Sequence, residues 1–182
     1  MKRTQEAAPA GPELAPSSGT PWAPWPGGRI LIRQAGGGDL GRLRDFLAGL
    51  SLQTRHLRFF AGAPASAAML RILAGQRPDA DALVATRNGV IIGHAMAVDT
   101  AGTSGAAATE IGVVVADAWQ GHGVGSGLIR ALTSRARARG ATTLVMEVMA
   151  ENRQVLAMIA SRWPDARHDR SAAYVTVHTR VG

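Results

Sequence analysis

Hydrophobic and polar positions alternate along this chain in segments that predict both strands and helices. RILIRQA (residues 29–35) alternates with the two-residue period of a strand. Asp39 and Ser51 each precede a helical pattern and have side chains suited to cap a helix. Three segments show the spacing of short helices, over residues 40–50, 52–60 and 66–75.

The middle of the chain predicts a β-hairpin followed by another strand. The apolar segments DALVATR and VIIGHAMAV flank Asn88 and Gly89, a residue pair that favours a two-residue turn. A loop rich in Gly, Ala and Thr is expected around residues 100–108. The apolar segment TEIGVVVA (109–116) then predicts a strand.

The last third of the chain alternates between predicted helices and strands. Apolar residues at helical spacing predict a helix over residues 125–139. The near-continuous apolar segment ATTLVMEVM (141–149) is typical of a buried parallel strand. A helix over 151–163 and two strands within 166–180 follow. This order predicts an α/β (α+β) domain with a mixed central sheet covered by helices.

Composition adds a tail and excludes several kinds of chemistry. Residues 1–28 are rich in Pro, Ala, Gly and Ser, which predicts a disordered tail ahead of one domain over residues 29–182. The chain has no cysteine, which excludes disulfides, thiolate metal sites and a cysteine nucleophile. There is no apolar run as long as a membrane span and no signal-peptide pattern. We therefore expect a cytoplasmic protein with no membrane partner and no metal.

The net charge of +7 comes almost entirely from arginine, since Lys2 is the only lysine. The arginines are spread from Arg3 to Arg180, so the charge does not indicate a nucleic-acid partner. One modest cluster on the helix predicted over 125–139 could attract an anionic ligand. Its members are Arg130, Arg135, Arg137 and Arg139.

The segment WQGHGVGSG (119–127) lies at a strand-to-helix junction, where glycines let a backbone approach a phosphate. A Walker loop requires a lysine after its last glycine, and this chain has none there. A dinucleotide fingerprint requires a glycine where Ser126 stands. It also begins directly after its strand, whereas residues 117–120 separate the two here.

The pattern that fits this segment is Gln-x-x-Gly-x-Gly, formed by Gln120, Gly123 and Gly125. In such a loop, successive backbone N–H groups at a helix N-terminus line a concavity that binds a pyrophosphate. The arrangement requires neither a lysine nor a metal ion.

With the strand before it and the helix after it, this loop resembles the GNAT superfamily of N-acetyltransferases. The resemblance covers residues 29–180 and is densest over TEIGVVVADAWQGHGVGSGLIRALTSRARARGATTLVMEVMAENRQVLAMI (109–159). It implies the GNAT fold, with about six to seven strands, helices on both faces and a splay between the strands of 109–116 and 141–149. It also implies acetyl-CoA as the cosubstrate.

The resemblance assigns cofactor contacts residue by residue. Val113, Val114 and Val115 would bind the pantetheine arm, and Asn152 matches an asparagine that opens the next helix and contacts that arm. The loop would hold the pyrophosphate of acetyl-CoA through Gln120, Gly121, His122, Gly123, Val124, Gly125 and Ser126.

Glu110 is the candidate general base. TEIGVVVADAWQGHGVGS resembles the GNAT domain of bacterial Pat-type protein-lysine acetyltransferases, in which the base is a glutamate ten residues before the loop glutamine. Glu110 has that spacing to Gln120. By strand alternation Gly112 shares its face and would leave room for an incoming amine. We expect the Glu110 carboxylate to be held partly out of water, which would make it a stronger base.

The segment SLQTRHLRFF (51–60) also resembles Pat-type enzymes, where this helix borders the acceptor site. One departure concerns the general acid, because Ile159 stands where many family members carry a tyrosine. The single tyrosine, Tyr174, lies elsewhere. Further candidates are His94 in the acceptor pocket, His56 as a second base, and Arg130 and Arg135 at the CoA phosphates; ordinary core or surface positions are the alternative for each.

The sequence therefore predicts an acetyl-CoA-dependent N-acetyltransferase. A protein lysine is the favoured acceptor, and the amine attacks directly because no cysteine is present to hold an acyl group. A small-molecule amine acceptor and a non-catalytic acyl-CoA-sensing module are the alternatives. A monomer and a homodimer both fit the sequence.

Overall fold

The structure is a computed structural model that describes residues 29–60, 66–101 and 107–181. The predicted tail, residues 1–28, lies outside the described residues, so the domain boundary at residue 29 stays a prediction. The described part of the chain contains no helix long and apolar enough to cross a membrane. The cytoplasmic location stays a prediction from the sequence.

Seven strands and five α-helices make up the described residues. The strands are β1 (Ile30–Gln34), β2 (Ala80–Arg87), β3 (Val90–Ala101), β4 (Ala107–Val115), β5 (Thr143–Met149), β6 (Arg167–Arg170) and β7 (Tyr174–Arg180). The helices are α1 (Leu40–Ala48), α2 (Leu52–Phe59), α3 (Ala67–Leu73), α4 (Val124–Ala138) and α5 (Arg153–Arg162). Short 3₁₀ turns precede α1 and α4, at Gly37–Asp39 and Asp117–Trp119.

All seven strands form one sheet in the order β1-β2-β3-β4-β5-β7-β6. Every neighbouring pair is antiparallel except β4 and β5, which are parallel. Helices α1 and α3 pack on one face over a core that contains Leu43 and Val84. Helices α4 and α5 pack on the other face, around a core that contains Leu83 of β2 and Leu128 of α4. This mixed seven-stranded sheet with helices on both faces confirms the predicted fold class.

Local sequence signals explain several of these elements. Asn88 and Gly89 take φ values of 49° and 79°, the left-handed pair that a two-residue hairpin turn requires, which confirms the predicted hairpin. Ser51 caps α2, since its Oγ accepts the backbone N–H of Thr54 at 3.1 Å.

Two predictions about local structure were wrong. Asp39 precedes α1 but does not cap it, because its carboxylate accepts hydrogen bonds from Arg33, at 2.7 and 2.8 Å, and from the N–H of Gly36 at 3.1 Å. The loop predicted over residues 100–108 is shorter, because β3 continues to Ala101 and β4 begins at Ala107. Pairing of the two strands extends to these last residues.

Candidate active site

Strands β4 and β5 separate part-way along their length. Their parallel pairing consists of three residue pairs and ends at Glu110 and Val145. Beyond that point β4 stays paired with β3 up to Val115, and β5 stays paired with β7 up to Met149. The edges of residues 111–115 and 146–149 that face each other therefore lack a strand partner. This is the splay that the resemblance implied, and it opens a cleft with free backbone groups.

The glycine-rich loop connects β4 to α4 at the wide end of this cleft. Gly121 and Gly123 have φ values of 73° and 79°, in the left-handed region that favours glycine. A Cβ atom at Gly121 would meet no atom within 4 Å, so the space beside this residue is open. The first backbone bond of α4 runs from the N–H of Gly127 to the carbonyl of Gly123, at 3.0 Å.

The N–H groups of Val124, Gly125 and Ser126 are therefore left without a carbonyl partner within the described chain. Together with the positive end of the α4 dipole, they form a site suited to a phosphate group. The donor set fits the pyrophosphate that the sequence predicts for this loop.

Two side chains of the loop form hydrogen bonds within the protein. The Gln120 side-chain amide donates to the carbonyl of Val115 at 3.1 Å and to Thr54 Oγ1 at 3.2 Å. His122 Nδ1 lies 2.6 Å from the carbonyl of Gln120, and because a carbonyl only accepts, the ring donates there. These side-chain atoms are therefore already engaged in hydrogen bonds within the protein.

The remaining predicted cofactor residues lie around the cleft. Val113 and Val115 pack their side chains toward α4 and α5, whereas Val114 is buried on the α1–α3 face. Their backbone forms the open edge of β4. Asn152 caps α5, because its Oδ1 accepts the N–H of Val155 at 3.2 Å. The structure thus brings Val113, Val114, Val115, the loop and Asn152 to one cleft, and their contacts with acetyl-CoA stay predictions.

A sequence profile of the Acetyltransferase (GNAT) family matches residues 51–162, which span α2, the cleft and α5. The chain belongs to the GNAT acetyltransferase family. No curated protein sequence matches the chain significantly.

Solved structures of GNAT proteins share this fold. The GNAT domain of S. lividans PAT has 25% identity and a TM-score of 0.74, with 83% of this chain and 90% of that chain covered. A ribosomal-protein-alanine N-acetyltransferase from Brucella melitensis has 22% identity and a TM-score of 0.67, covering 82% and 99%. The protein yncA from Salmonella typhimurium, determined with its cofactor acetyl-CoA, has 17% identity and a TM-score of 0.67, covering 85% and 95%.

In this GNAT chain, Glu110 stands where the cleft begins, since it is the last β4 residue paired with β5. Its side chain is exposed, which differs from the partly desolvated carboxylate that we expected. Side chains of a strand point out of the sheet plane, and α2, which borders this face, leaves the Glu110 side chain exposed. Its role as the base stays a prediction.

Arg58 fills the space above Gly112, which we expected to be left open for an incoming amine. A Cβ atom on Gly112 would lie 2.2 Å from Arg58 Nη2 and 2.5 Å from Arg58 Cζ, so the guanidinium rests directly on the bare backbone of β4. The Nε of Arg58 is buried and has no hydrogen-bond partner among the described residues. Burial lowers the pKa of Arg58 to about 10, against the attraction of Glu110, which raises it.

His94 is a core residue, not part of an open acceptor pocket. Only 1% of it is exposed, and its Nε2 lies 2.8 Å from the carbonyl of Leu73, at the end of α3. The ring therefore donates to that carbonyl. Burial lowers the pKa of His94 to about 4, and the neighbouring charge of Arg58 acts in the same direction. His94 is therefore neutral at physiological pH.

Two arginines considered for the CoA phosphates differ in their surroundings. Arg135 is bound to Asp81 through contacts of 2.6 and 3.0 Å, so that interpretation was wrong for Arg135. Arg130 is exposed on α4. The described residues contain no group of three or more His, Cys, Asp or Glu side chains able to hold a metal ion.

Ile159 is 2% exposed and lies in the core beneath α5, so no phenol occupies the usual general-acid position. Tyr174 instead begins β7, with its ring 5.0 Å from that of Phe60 at an edge-to-face angle of 84°. His56 of α2 lies 3.6 Å from Glu151, just before α5. Helix α2 thus lies against β4 and β5, and Phe60, which follows it, lies against β7.

Glu147 is a second candidate functional carboxylate on the face of Glu110, and the sequence analysis missed it. Glu110 pairs with Val145, so these two residues share a face of the sheet, and Glu147 shares it by alternation. Both glutamates are exposed on the face that α2 borders. The alternation of ATTLVMEVM carried the signal, but only the register between β4 and β5 relates it to Glu110.

Proposed function

We propose that this protein is an acetyl-CoA-dependent N-acetyltransferase that acetylates a protein lysine, with Glu110 as general base. The observation that carries the proposal is the end of β4–β5 pairing at Glu110, upstream of a helix start at which the N–H groups of Val124, Gly125 and Ser126 have no carbonyl partner among the described residues. A candidate base, an open strand edge and a phosphate cradle thus follow one another along a single segment.

Backbone groups would provide most of the cosubstrate binding. Residues 121–126 would hold the pyrophosphate of acetyl-CoA, and the open edge at Val113, Val114 and Val115 would pair with the pantetheine arm. Asn152 would contact that arm from the start of α5. The bound cosubstrate supplies the acetyl thioester that the amine attacks.

The acceptor must lose a proton before it attacks, because a lysine amine with a pKa near 10.4 is mostly protonated at neutral pH. Glu110 would accept this proton, directly or through a water molecule. An N–H group on the open edge of β4 would stabilise the negative charge that develops on the acetyl oxygen. Ile159 offers no proton, so we expect solvent to protonate the departing thiolate.

The charges on the acceptor face favour a cationic acceptor. Glu110 and Glu147 are exposed carboxylates on this face, and the Arg58 guanidinium on Gly112 attracts Glu110. Two exposed carboxylates on one face suit an ammonium group, although Arg58 offsets part of their charge. The resemblance of residues 51–60 and 109–126 to Pat-type enzymes favours a lysine in a protein.

The test is a free-thiol assay with acetyl-CoA and lysine-containing proteins, using Glu110→Gln. We expect this variant to keep its thermal stabilisation by acetyl-CoA and to lose about a hundredfold or more of its turnover at neutral pH, the usual contribution of a general base. Asp45→Asn, an exposed acid on α1, is the matched control and should behave like the wild type. Undiminished turnover in Glu110→Gln would remove Glu110 as base.

The same assay separates the two alternatives. The carboxylates of Glu110 and Glu147 also suit a small polyamine. Turnover with polyamines but not with proteins would assign that acceptor class. Ile159 motivates a non-catalytic acyl-CoA sensor, since it leaves the general-acid position without a proton donor. Stabilisation by acetyl-CoA without release of thiol for any amine would support the sensor.

A further inference from the structure

Helix α2 lies beside β4, and its only contact described above with the backbone of that strand is through the Arg58 guanidinium. None of its residues, Leu52–Phe59, is fully buried, and Leu52 is 70% exposed. A helix of eight residues has little stability of its own in water. Its position must therefore depend strongly on the contacts that it makes with its neighbours.

The N-terminus of α2 is attached to the turn that leads into the glycine loop. The Asp117 carboxylate accepts the backbone N–H of Ser51 at 3.0 Å and its hydroxyl at 2.7 Å. It also accepts the Thr54 hydroxyl at 2.7 Å. These bonds, most of all those from Ser51, lower the pKa of Asp117 to about 2, so the carboxylate is ionised at any working pH.

A second loop residue holds the same helix. Gln120 donates to Thr54 Oγ1 and to the carbonyl of Val115, which joins α2, the end of β4 and the loop. Thr54 therefore bonds to both Asp117 and Gln120. The glycine-rich loop continues from the next residue, Gly121, to the phosphate cradle at Val124, Gly125 and Ser126.

The other end of α2 carries Arg58, whose guanidinium rests on Gly112 and is attracted by Glu110. Arg58 belongs to the same short helix as the α2 N-terminus, whereas Gly112 and Glu110 belong to β4 beneath it. A shift of the α2 N-terminus would therefore move Arg58 relative to Gly112 and Glu110. The loop and the candidate base are thus connected through α2.

We propose that Asp117 is a positioning residue that couples the CoA-binding loop to the acceptor side of the cleft by way of Thr54 and α2. Binding of a phosphate group orders the loop, the loop fixes Asp117 and Gln120, and these residues hold α2 with Arg58 against Gly112. Coupling between two sites is reciprocal, so an acceptor that fixes α2 also favours CoA binding. This inference rests on the proposed function for the ligand of the loop.

Hydrogen exchange of the full chain, with and without coenzyme A, tests the coupling. In the wild type we expect coenzyme A to slow exchange in residues 121–127 and, about fivefold or more, in residues 52–59, the lower end of usual coupling strengths. In Asp117→Asn the first effect should persist and the second fall below about twofold. In Thr54→Val, which keeps both Ser51 bonds to Asp117, the first effect should persist and the second should be weaker than in the wild type. Asp45→Asn should show both effects.

The outcomes distinguish this inference from the proposed function. Protection of residues 121–127 with no change in residues 52–59 of the wild type would overturn the coupling alone. Protection of neither segment would overturn the proposed function and the coupling with it. If Asp117→Asn unfolds α2 even without ligand, Thr54→Val decides, because it keeps the Ser51 cap. Full coupling in Thr54→Val would contradict the assigned path.

Discussion

A side chain at position 112 would overlap the guanidinium of Arg58, since a Cβ atom there comes within 2.2 Å of Nη2. The atoms that must yield belong to the far end of a long side chain, so the backbone of β4 can stay in place. A Gly→Ala change also lowers the entropy of the unfolded chain. The change should therefore affect the position of Arg58 far more than the stability of the fold.

For Gly112→Ala we expect the free energy of unfolding to change by less than about 1 kcal/mol. We expect acetyl transfer to fall about tenfold or more, because small displacements at a reacting centre are costly. Urea denaturation and the free-thiol assay measure the two quantities. Gly36→Ala is the control, since its φ is −157° and a Cβ there meets nothing within 4 Å. Wild-type turnover in Gly112→Ala would show that Arg58 need not lie on this strand.

Individual residues also show where sequence reasoning succeeds. Gly121 and Gly123 were predictable because their backbone conformation is a local property. The contact of Arg58 with Gly112 was not, because it joins a helix and a strand that are far apart in the sequence. Strand alternation correctly put Gly112 on the face of Glu110, but alternation does not say what fills the space above a glycine.

At the scale of elements, α4 is tied to β2 by a buried carboxylate. Asp81 is 5% exposed and accepts hydrogen bonds from Arg135, at 2.6 and 3.0 Å, and from Arg139 at 2.7 Å. Arg139 reaches on to Asp99 of β3, at 3.4 Å. These contacts fix the end of α4, and its first turn forms the phosphate cradle.

We expect Asp81→Asn to lower the free energy of unfolding by about 2 kcal/mol. The amide would present N–H donors to guanidinium groups, and breaking a buried ion pair costs about 3–5 kcal/mol when both partners are buried. Both arginines are partly exposed, which reduces the cost. The control is Asp79→Asn, because Asp79 pairs with Arg77 at the surface, where such pairs contribute little. Equal losses in the two variants, by urea denaturation, would contradict this account.

Element types were mostly predictable, because the hairpin, α4 and β5 follow local periodicity and turn chemistry. The cap expected from Asp39 failed because Arg33, on the preceding strand, competes for the same carboxylate. Glu147 escaped notice because its relation to Glu110 depends on the register of two strands separated by a helix. Periodicity gives each element its own faces, but it does not give the register between elements.

At the scale of the whole molecule, stability should depend on pH through His94. Its pKa is about 4 in the folded protein, below the ordinary value of 6.5. The unfolded chain therefore binds more protons between these values, and stability falls as pH decreases through this range. The contribution of neutral His94 to the free energy of unfolding is complete above about pH 6.5 and is lost progressively toward pH 4.

We expect the free energy of unfolding to fall by about 2 kcal/mol between pH 7.5 and 5.0 because of His94. Urea denaturation of the wild type and of His94→Gln at both pH values measures this contribution as a difference between two slopes. The substitution keeps a donor for the carbonyl of Leu73 but removes the titrating ring. Parallel pH dependences in the two proteins would show that His94 is not the group responsible.

The three residue pairs between β4 and β5 also divide the molecule mechanically. Strands β1 to β4 form one antiparallel group and β5 to β7 form another. The hydrogen bonds between strands within each group do not involve the other group. The two groups of strands are joined through the pairing of residues 108–110 of β4 with β5. A small rotation about this joint would widen or narrow the cleft without breaking the pairing within either group of strands. The width of the cleft can therefore change at low energetic cost, and the packing of α4 and α5 across the joint determines it.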